Sequence, residues 1–223
     1  MTEKEIPIKE MCERYRKLIV PLVSDSLDEK TGWKRYALAH DIKPLTHDMK
    51  VAGPAFTIRG EVNFSRIREE DYLGLRVLDL LTTHCVLVID TGHDDSCAHW
   101  GELSSVAARA KGCQGVVVDG GTRDTPDIIN MKFPVFTRFT SPLDALGRWK
   151  MVEYQIPVEI SGSQISPGDF IVGDNDGVVV VPKALTIDIL LYAENYLGKE
   201  KGVRGDLAKG APAIETYKKH GKF

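Results

Sequence analysis

The sequence predicts an α/β fold, and three observations predict it. Leu103, Val106, Ala107 and Ala110 recur at helical spacing, Gly112 can end that helix, and Gly115-Val116-Val117-Val118 follows as a run fit for a fully buried strand. Similar short apolar runs recur at 86–90 and 178–181, too brief for helices and bounded by turn residues. Helical patterns stand near both ends of the chain.

In chain order, 9–20 reads as a helix with Met11, Tyr15, Leu18 and Ile19 on one side, interrupted by Pro21. Ser24-Asp25-Ser26-Leu27-Asp28 resembles the capped start of a second helix. Residues 32–49 read mainly as loop, with Pro44 as a breaker. Residues 51–58 read as a strand, with Gly53-Pro54 as a bend or bulge. Residues 68–82 read as helical, 86–90 as a buried strand and 91–99 as a polar loop. After Asp124 come a short helix at 126–130, a strand at 133–138 and an extended segment at 152–160. Residues 167–169 form a turn, and 170–172 with 178–181 form a hairpin around Gly173-Asp174-Asn175-Asp176-Gly177. A helix runs from 184 to about 199, and the charged tail 201–223 reads as a mobile arm or a clasp on a neighbour.

The 223 residues fit a single domain, and 43% hydrophobic content is enough for a folded core. A net charge of −3 gives no general attraction to nucleic acid or anionic membrane, and no apolar run could span a bilayer. The charged N-terminus lacks the apolar region of a signal peptide, so a cytoplasmic location is expected. Four cysteines, at 12, 85, 97 and 113, form no CxxC pair, which argues against structural zinc. Cys97, in the polar loop, is the candidate reactive thiol.

The chemistry concentrates at 100–124. The turn at Gly101 to Ser104 opens a helix, and its free N–H groups, those of Leu103 and Ser104 among them, can hold an anion. Asp119-Gly120-Gly121-Thr122-Arg123-Asp124 lies at the carboxyl end of a strand, where open α/β folds place ligands. Arg123 supplies an anion fork and Asp124 a metal ligand. Together they suit a small carboxylic acid bound with a divalent cation. The bland readings are a surface pair for Arg123 and Asp124, a dipole-complementing acid for Glu102 and a solvated helix charge for Glu200. Asp174 and Asp176 read as turn residues, Asp119 as a residue orienting the Arg123 loop, and Lys111 and Lys183 as solvated.

Several ordered segments carry a family resemblance: 24–27, 42–45, 51–57, 100–124, 133–136 and 167–182. The chain resembles the RraA-like family, which includes 4-hydroxy-4-methyl-2-oxoglutarate / 4-carboxy-4-hydroxy-2-oxoadipate aldolases and regulators of ribonuclease E activity. The resemblance implies an α/β/β/α sandwich related to swivelling β/β/α domains, covering residues 1–223. N-terminal helices occupy about 9–30 and a C-terminal helix and tail about 184–223. It implies homotrimers, sometimes paired into hexamers, with sites between subunits.

The activity so implied is cleavage of a 4-hydroxy-2-oxo acid to pyruvate and a second carbonyl compound with Mg²⁺ or Mn²⁺, with oxaloacetate decarboxylation as a possible companion. Arg123 would contact the pyruvate portion, and Asp124 would bind the metal. Leu103 and Ser104 would offer amides, and Glu102 would lie near metal-bound water. Glu200 of a neighbouring subunit, or else Glu194, would hold metal waters. The segment 61–85 and the loop 92–99 depart from the family pattern, and the distal part of the substrate would meet such departing segments and the adjacent subunit. Two other readings stand: a non-catalytic protein-binding regulator, and a transition-metal hydrolase built on His93, Asp94, Asp95 and His99.

Overall fold

The computed structural model describes residues 6–32, 35–65 and 73–221, the side chains of Lys199 and Lys201 excepted. Helix α1 (Ile8–Tyr15) buries Cys12 and Tyr15. Helix α2 (Val20–Thr31) carries Pro21 in its first turn. A proline there forfeits no hydrogen bond, because first-turn N–H groups have no intrahelical acceptor. The helix expected at 9–20 ends at Tyr15, and Pro21 stands in the first turn of the next helix instead of interrupting one. The cap expected around Ser24 lies inside α2, where the Ser26 hydroxyl donates to Leu22 O at 2.7 Å.

Strand β1 (Lys43–Pro44) lies within the segment read as loop. The long strand β2 (Val51–Val62) is the spine of the main sheet. Its segment Ala55–Arg59 pairs in parallel with β3 (Val86–Asp90), and β3 pairs with β5 (Gly115–Val118). Next to β5 lies β7 (Val135–Thr137), and β1 closes that edge antiparallel. The other edge of β2 carries β9 (Trp149–Tyr154) at one end and β12 (Phe170–Asp174) at the other. Beyond β12 lies β13 (Gly177–Val181), giving this sheet eight strands among the described residues, while β10 (Val158–Ile160) and β11 (Ser163–Ile165) pair as a separate hairpin. The bend expected at Gly53-Pro54 is absent there. Gly53 instead lets the backbone pass against the His84 carbonyl. The irregularity falls between Arg59 and Gly60, where the Trp149 ring occupies the space a Gly60 side chain would need.

The sheet curls on itself, and alternation along its strands makes three apolar layers. Val86, Val88, Val117, Ile171, Val178 and Val180 meet inside the curl. Leu87, Ile89, Val116 and Val118 face outward beneath α3 (Leu73–Leu80), α4 (Glu102–Ala110) and α5 (Thr125–Asn130). Phe170, Val172, Val179 and Val181 face α1, α2 and α6 (Thr186–Ala208). The result is an α/β/β/α sandwich with a nearly closed sheet. Of the helix read at 68–82, α3 covers the described part; residues 68–72 lie outside the described residues.

The C-terminal helix runs beyond 199, to Ala208, and the tail folds into α7 (Ala213–His220). Lys219 Nζ and His220 Nε2 meet Asp206 Oδ2 at 2.7 and 2.8 Å, so this part of the tail is fastened to its own chain. Among the described residues, no helix is long and apolar enough to cross a membrane. The acidic hairpin turn is structural: Asp174 accepts the Val20 N–H and the Asp176 N–H, both at 2.9 Å.

Candidate active site

A small parallel sheet assembles the site. Strand β4 (Ala98–Trp100) pairs with β6 (Gly121–Thr122), which pairs with β8 (Phe139–Thr140). Parallel strands end on the same side, so the turn into α4 and the turn into α5 lie together. The Arg123 N–H and the Thr122 hydroxyl both donate to Trp100 O, at 2.9 and 3.0 Å. Gly101 caps α4, and Asp124 caps α5 with a left-handed φ of 57°. Aspartate tolerates that conformation better than most residues.

The first intrahelical bond of α4 runs from Ser105 N to Gly101 O. The earlier amides therefore need other partners. Glu102 N–H donates to Asp124 Oδ2 at 3.2 Å, which leaves Leu103 and Ser104 amides with no acceptor in the helix. Arg123 Nε lies 3.5 Å from the same Asp124 oxygen, and its Nη1 lies 3.1 Å from Asp144 Oδ2. Gly101 is required by this crowding: a Cβ there would sit 2.8 Å from Asp124 Oδ2. Among the described residues the side-chain contacts of Asp124 fall on Oδ2, and Oδ1 is the oxygen that could take a cation or water. A hard divalent ion that keeps most of its waters suits one carboxylate of this kind.

Behind the turns, Asp94 and His99 brace the structure. His99 Nδ1 accepts the Gly121 N–H at 3.2 Å, so the neutral ring carries its proton on Nε2 and donates it to Asp94 Oδ2 at 3.0 Å. Burial pushes the His99 pKa down, with Asp94 pulling partly against it. Burial opposes ionisation of Asp94, but hydrogen bonds from Ser96 and His99 outweigh it and hold the carboxyl below its usual range. Cys97 Sγ lies 3.6 Å from Asp94 Oδ2 and 3.7 Å from His99 Nε2, making a possible three-ligand metal group. The Gly121 amide argues against it, because a metal on Nε2 would call for a proton on Nδ1, where that N–H already points.

The His93, Asp94, Asp95 and His99 quartet does not form. His93 faces Arg138 and Asp119 from the surface, whereas the His99 side chain is fully buried. Cys97 is buried as well, and its thiol is pushed up to about 11, chiefly by desolvation, so it is no reactive thiolate. Asp119 holds Arg138 at 3.1 Å instead of orienting Arg123.

Gly101, Leu103, Ser104, Arg123 and Asp124 all border one cavity of about 300 Å³. Asp144, Ala145 and Leu146 form part of its rim, and α3, β2, β3 and β9 supply its walls. A shallow polar hollow on the other side of Arg123 and Asp124 is lined by Thr122, Thr125, Thr140 and Ser141.

The RraA-like family model, described as Aldolase/RraA, matches residues 20–180. The chain belongs to the RraA-like family. A protein of Halalkalibacterium halodurans named "Putative 4-hydroxy-4-methyl-2-oxoglutarate aldolase" is 30% identical over 97% of this chain and 96% of its own. The crystal structure of Streptomyces coelicolor RraAS2, titled an unusual member of the RNase ES inhibitor RraA protein family, is 27% identical with a TM-score of 0.78. That match covers 89% of this chain and 98% of the other. A structure titled as one of novel cellulases from gut-associated microbes is 36% identical with a TM-score of 0.83, covering 91% of each chain.

In this RraA-like chain the two turns gather Gly101, Leu103, Ser104, Arg123 and Asp124. Glu102 joins them through its amide, and its side chain is not among the cavity-lining groups. Glu200 and Glu194 stand on α6, in the helical layer across the sheet from α4. Glu194 is held by Arg14 at 2.5 and 2.8 Å, and Glu200 meets Arg204 at 3.1 Å. Sequence reasoning missed Asp144, Lys150 and the apolar walls. Asp144 reaches Arg123 because the Leu143 carbonyl accepts the Ala98 N–H at 2.9 Å, a long-range pairing with no local signature.

Proposed function

We propose that this RraA-like chain is a divalent-cation-dependent aldolase that releases pyruvate from a 4-hydroxy-2-oxo acid. The observation that carries the reading is the convergence of the α4 amides, the Arg123 guanidinium and the Asp124 carboxylate at one cavity mouth. A 2-oxo acid presents a carboxylate and a keto oxygen on adjacent carbons. The amides of Leu103 and Ser104 take the carboxylate, and Arg123 adds a charged fork whose direction Asp144 fixes. Asp124 would hold Mg²⁺ or Mn²⁺ directly, and Glu102, with Glu200 from a neighbouring copy, would hold its waters. The cation, when bound, supplies Lewis acidity toward the developing enolate charge.

A water poised by Glu102 and Arg123 takes the proton of the C4 hydroxyl. The C4–O pair becomes a carbonyl, the C3–C4 bond breaks, and its electrons pass into the pyruvate enolate, which is protonated at C3. In oxaloacetate the C4 carboxylate is already ionised: the C3–C4 bond breaks, carbon dioxide leaves, and the same enolate is protonated at C3. Exposed Leu103 and Val106 on α4, with Leu143 and Leu146 beside them, support association into a trimer or hexamer.

The test is pyruvate release from 4-hydroxy-2-oxo acids with and without EDTA. Turnover that EDTA abolishes and Mg²⁺ restores is expected; EDTA-insensitive turnover, or none with any substrate, would remove the reading. Likeness to RraAS2 favours a second reading, a non-catalytic regulator. Capture of a ribonuclease without any turnover would support it.

A further inference from the structure

The loop ahead of α4 is fastened to the turn that carries Arg123. His99 stands on β4 with its side chain fully buried, and it borders the cavity. Its Nδ1 accepts the N–H of Gly121, two residues before Arg123, at 3.2 Å. Its Nε2 lies 3.0 Å from Asp94 Oδ2. Asp94 is itself held: the Ser96 hydroxyl donates to Oδ2 at 2.8 Å and the Ser96 N–H to Oδ1 at 3.2 Å. The Thr91 hydroxyl ties the start of the same loop to the Asp119 carbonyl and accepts the Asp94 N–H at 3.1 Å. The Trp149 ring meets the His99 ring edge-on at 5.1 Å, and its Nε1–H donates to Thr91 O at 3.1 Å. A Cβ on Gly120 would stand 2.5 Å from His99 Nδ1, so the ring and the turn are in direct contact.

A neutral imidazole has one donor and one acceptor. Asp94 takes the proton on Nε2, which leaves Nδ1 as the acceptor that the Gly121 amide needs. Past Gly121, the Thr122 hydroxyl and the Arg123 N–H both return to the carbonyl of Trp100, the residue after His99. Three successive residues of the turn are therefore pinned on β4, and the first of them is pinned by a side chain. We infer that His99, oriented by Asp94, is a positioning residue for the Arg123–Asp124 turn. It sets the backbone from which the guanidinium and the carboxylate reach the substrate, and it acts through that backbone. This rests on the aldolase reading, which makes Arg123 and Asp124 the working groups, and adds the pair that holds them in place. Every bond of the brace lies within one chain, so it is independent of what a neighbouring copy adds at the cavity mouth.

The test is steady-state pyruvate release from 4-hydroxy-4-methyl-2-oxoglutarate with Mg²⁺, read beside the melting temperature of each variant and calorimetric binding of pyruvate with Mg²⁺. His99→Gln can reach Asp94 but brings no acceptor to Gly121. His99→Asn places its Oδ1 near the Nδ1 position and keeps that acceptor. Both lose the ring against Trp149, so both should melt at a similarly lowered temperature. In His99→Gln kcat should fall about tenfold or more, as for a small misplacement of reacting groups, and His99→Asn should recover most of it. Asp94→Asn is nearly isosteric and guards against a folding failure at position 99. It turns a donor toward His99 Nε2, which drives the ring proton onto Nδ1 against the Gly121 N–H, and kcat should fall as in His99→Gln. An unchanged kcat in His99→Gln and Asp94→Asn, or equal losses in His99→Gln and His99→Asn that follow melting temperature, overturns the inference while leaving the aldolase reading in place. Absence of both turnover and pyruvate binding in the unaltered protein overturns both.

Discussion

The Glu102 amide and the Asp124 carboxylate meet at 3.2 Å across 22 residues of sequence. That bond joins the opening of α4 to the opening of α5. It fixes one carboxylate oxygen against a helix N-terminus. Asp124→Asn keeps the shape and the Oδ acceptor but removes the charge. Cation-dependent pyruvate release should be abolished, while the melting temperature changes little. Retained turnover would take the metal role from Asp124.

Gly101 is the quiet partner in this arrangement. Its φ of −154° is extended backbone that any residue adopts, so Gly101→Ala introduces no backbone strain. The new Cβ would stand 2.8 Å from Asp124 Oδ2 and 3.4 Å from Arg123 Cγ. The carboxylate must shift to admit it. A fall in kcat/KM of about tenfold or more is expected from misplacement on this scale, with far-ultraviolet circular dichroism unchanged.

Arg123→Lys keeps the positive charge but loses the planar fork that contacts both Asp124 and Asp144. A loss of about 10²-fold in kcat is expected, of the size seen when one well-aimed donor is removed. Steady-state kinetics on pyruvate release would read it, and an unchanged kcat would mean that a point charge suffices.

His99 makes stability depend on pH. Its folded pKa lies below the ordinary histidine value of about 6.5 because burial disfavours the imidazolium. Between the folded and unfolded values the unfolded chain binds more protons, so stability rises with pH there. The contribution is complete above about 6.5 and is lost as pH falls through the folded value. Urea midpoints should drop on acidification below that point, and His99→Gln should flatten that part of the profile.

Glu194 and Glu200 separate by experiment. Arg14 holds Glu194 through two hydrogen bonds between α1 and α6. Glu194→Gln should cost about 0.5–1 kcal/mol of stability, as for a partly exposed pair, and leave turnover intact. Glu200→Gln should lower turnover with little effect on thermal unfolding, if a neighbouring copy uses that carboxylate as proposed. Equal turnover in both variants would remove Glu200 from the site.

Much of this protein could be read locally. The short unbroken apolar runs at 86–89 and 178–181 are a property of neighbouring residues, and they foretold strands, which the fold buries on both faces. The Gly101 turn, the Arg123-Asp124 pair and the helix between them were legible for the same reason. The exceptions follow the physics of single residues placed in context. Pro21 opens a helix because the turn it occupies needs no N–H donor. Cys97 is inert because the fold removes it from water.

Chain pairing decided the rest. The β4–β6 contact sets two turns side by side, the Ala98–Leu143 bond delivers Asp144 to Arg123, and α3 with β9 encloses an apolar space behind them. Each depends on segments far apart in sequence, brought together by burial of their apolar faces. Sequence patterns therefore determined which elements form and which residues carry charge at the turns. The tertiary structure determined which charges meet, and how dry the space beside them is, because desolvation and contact are properties of the packed chain.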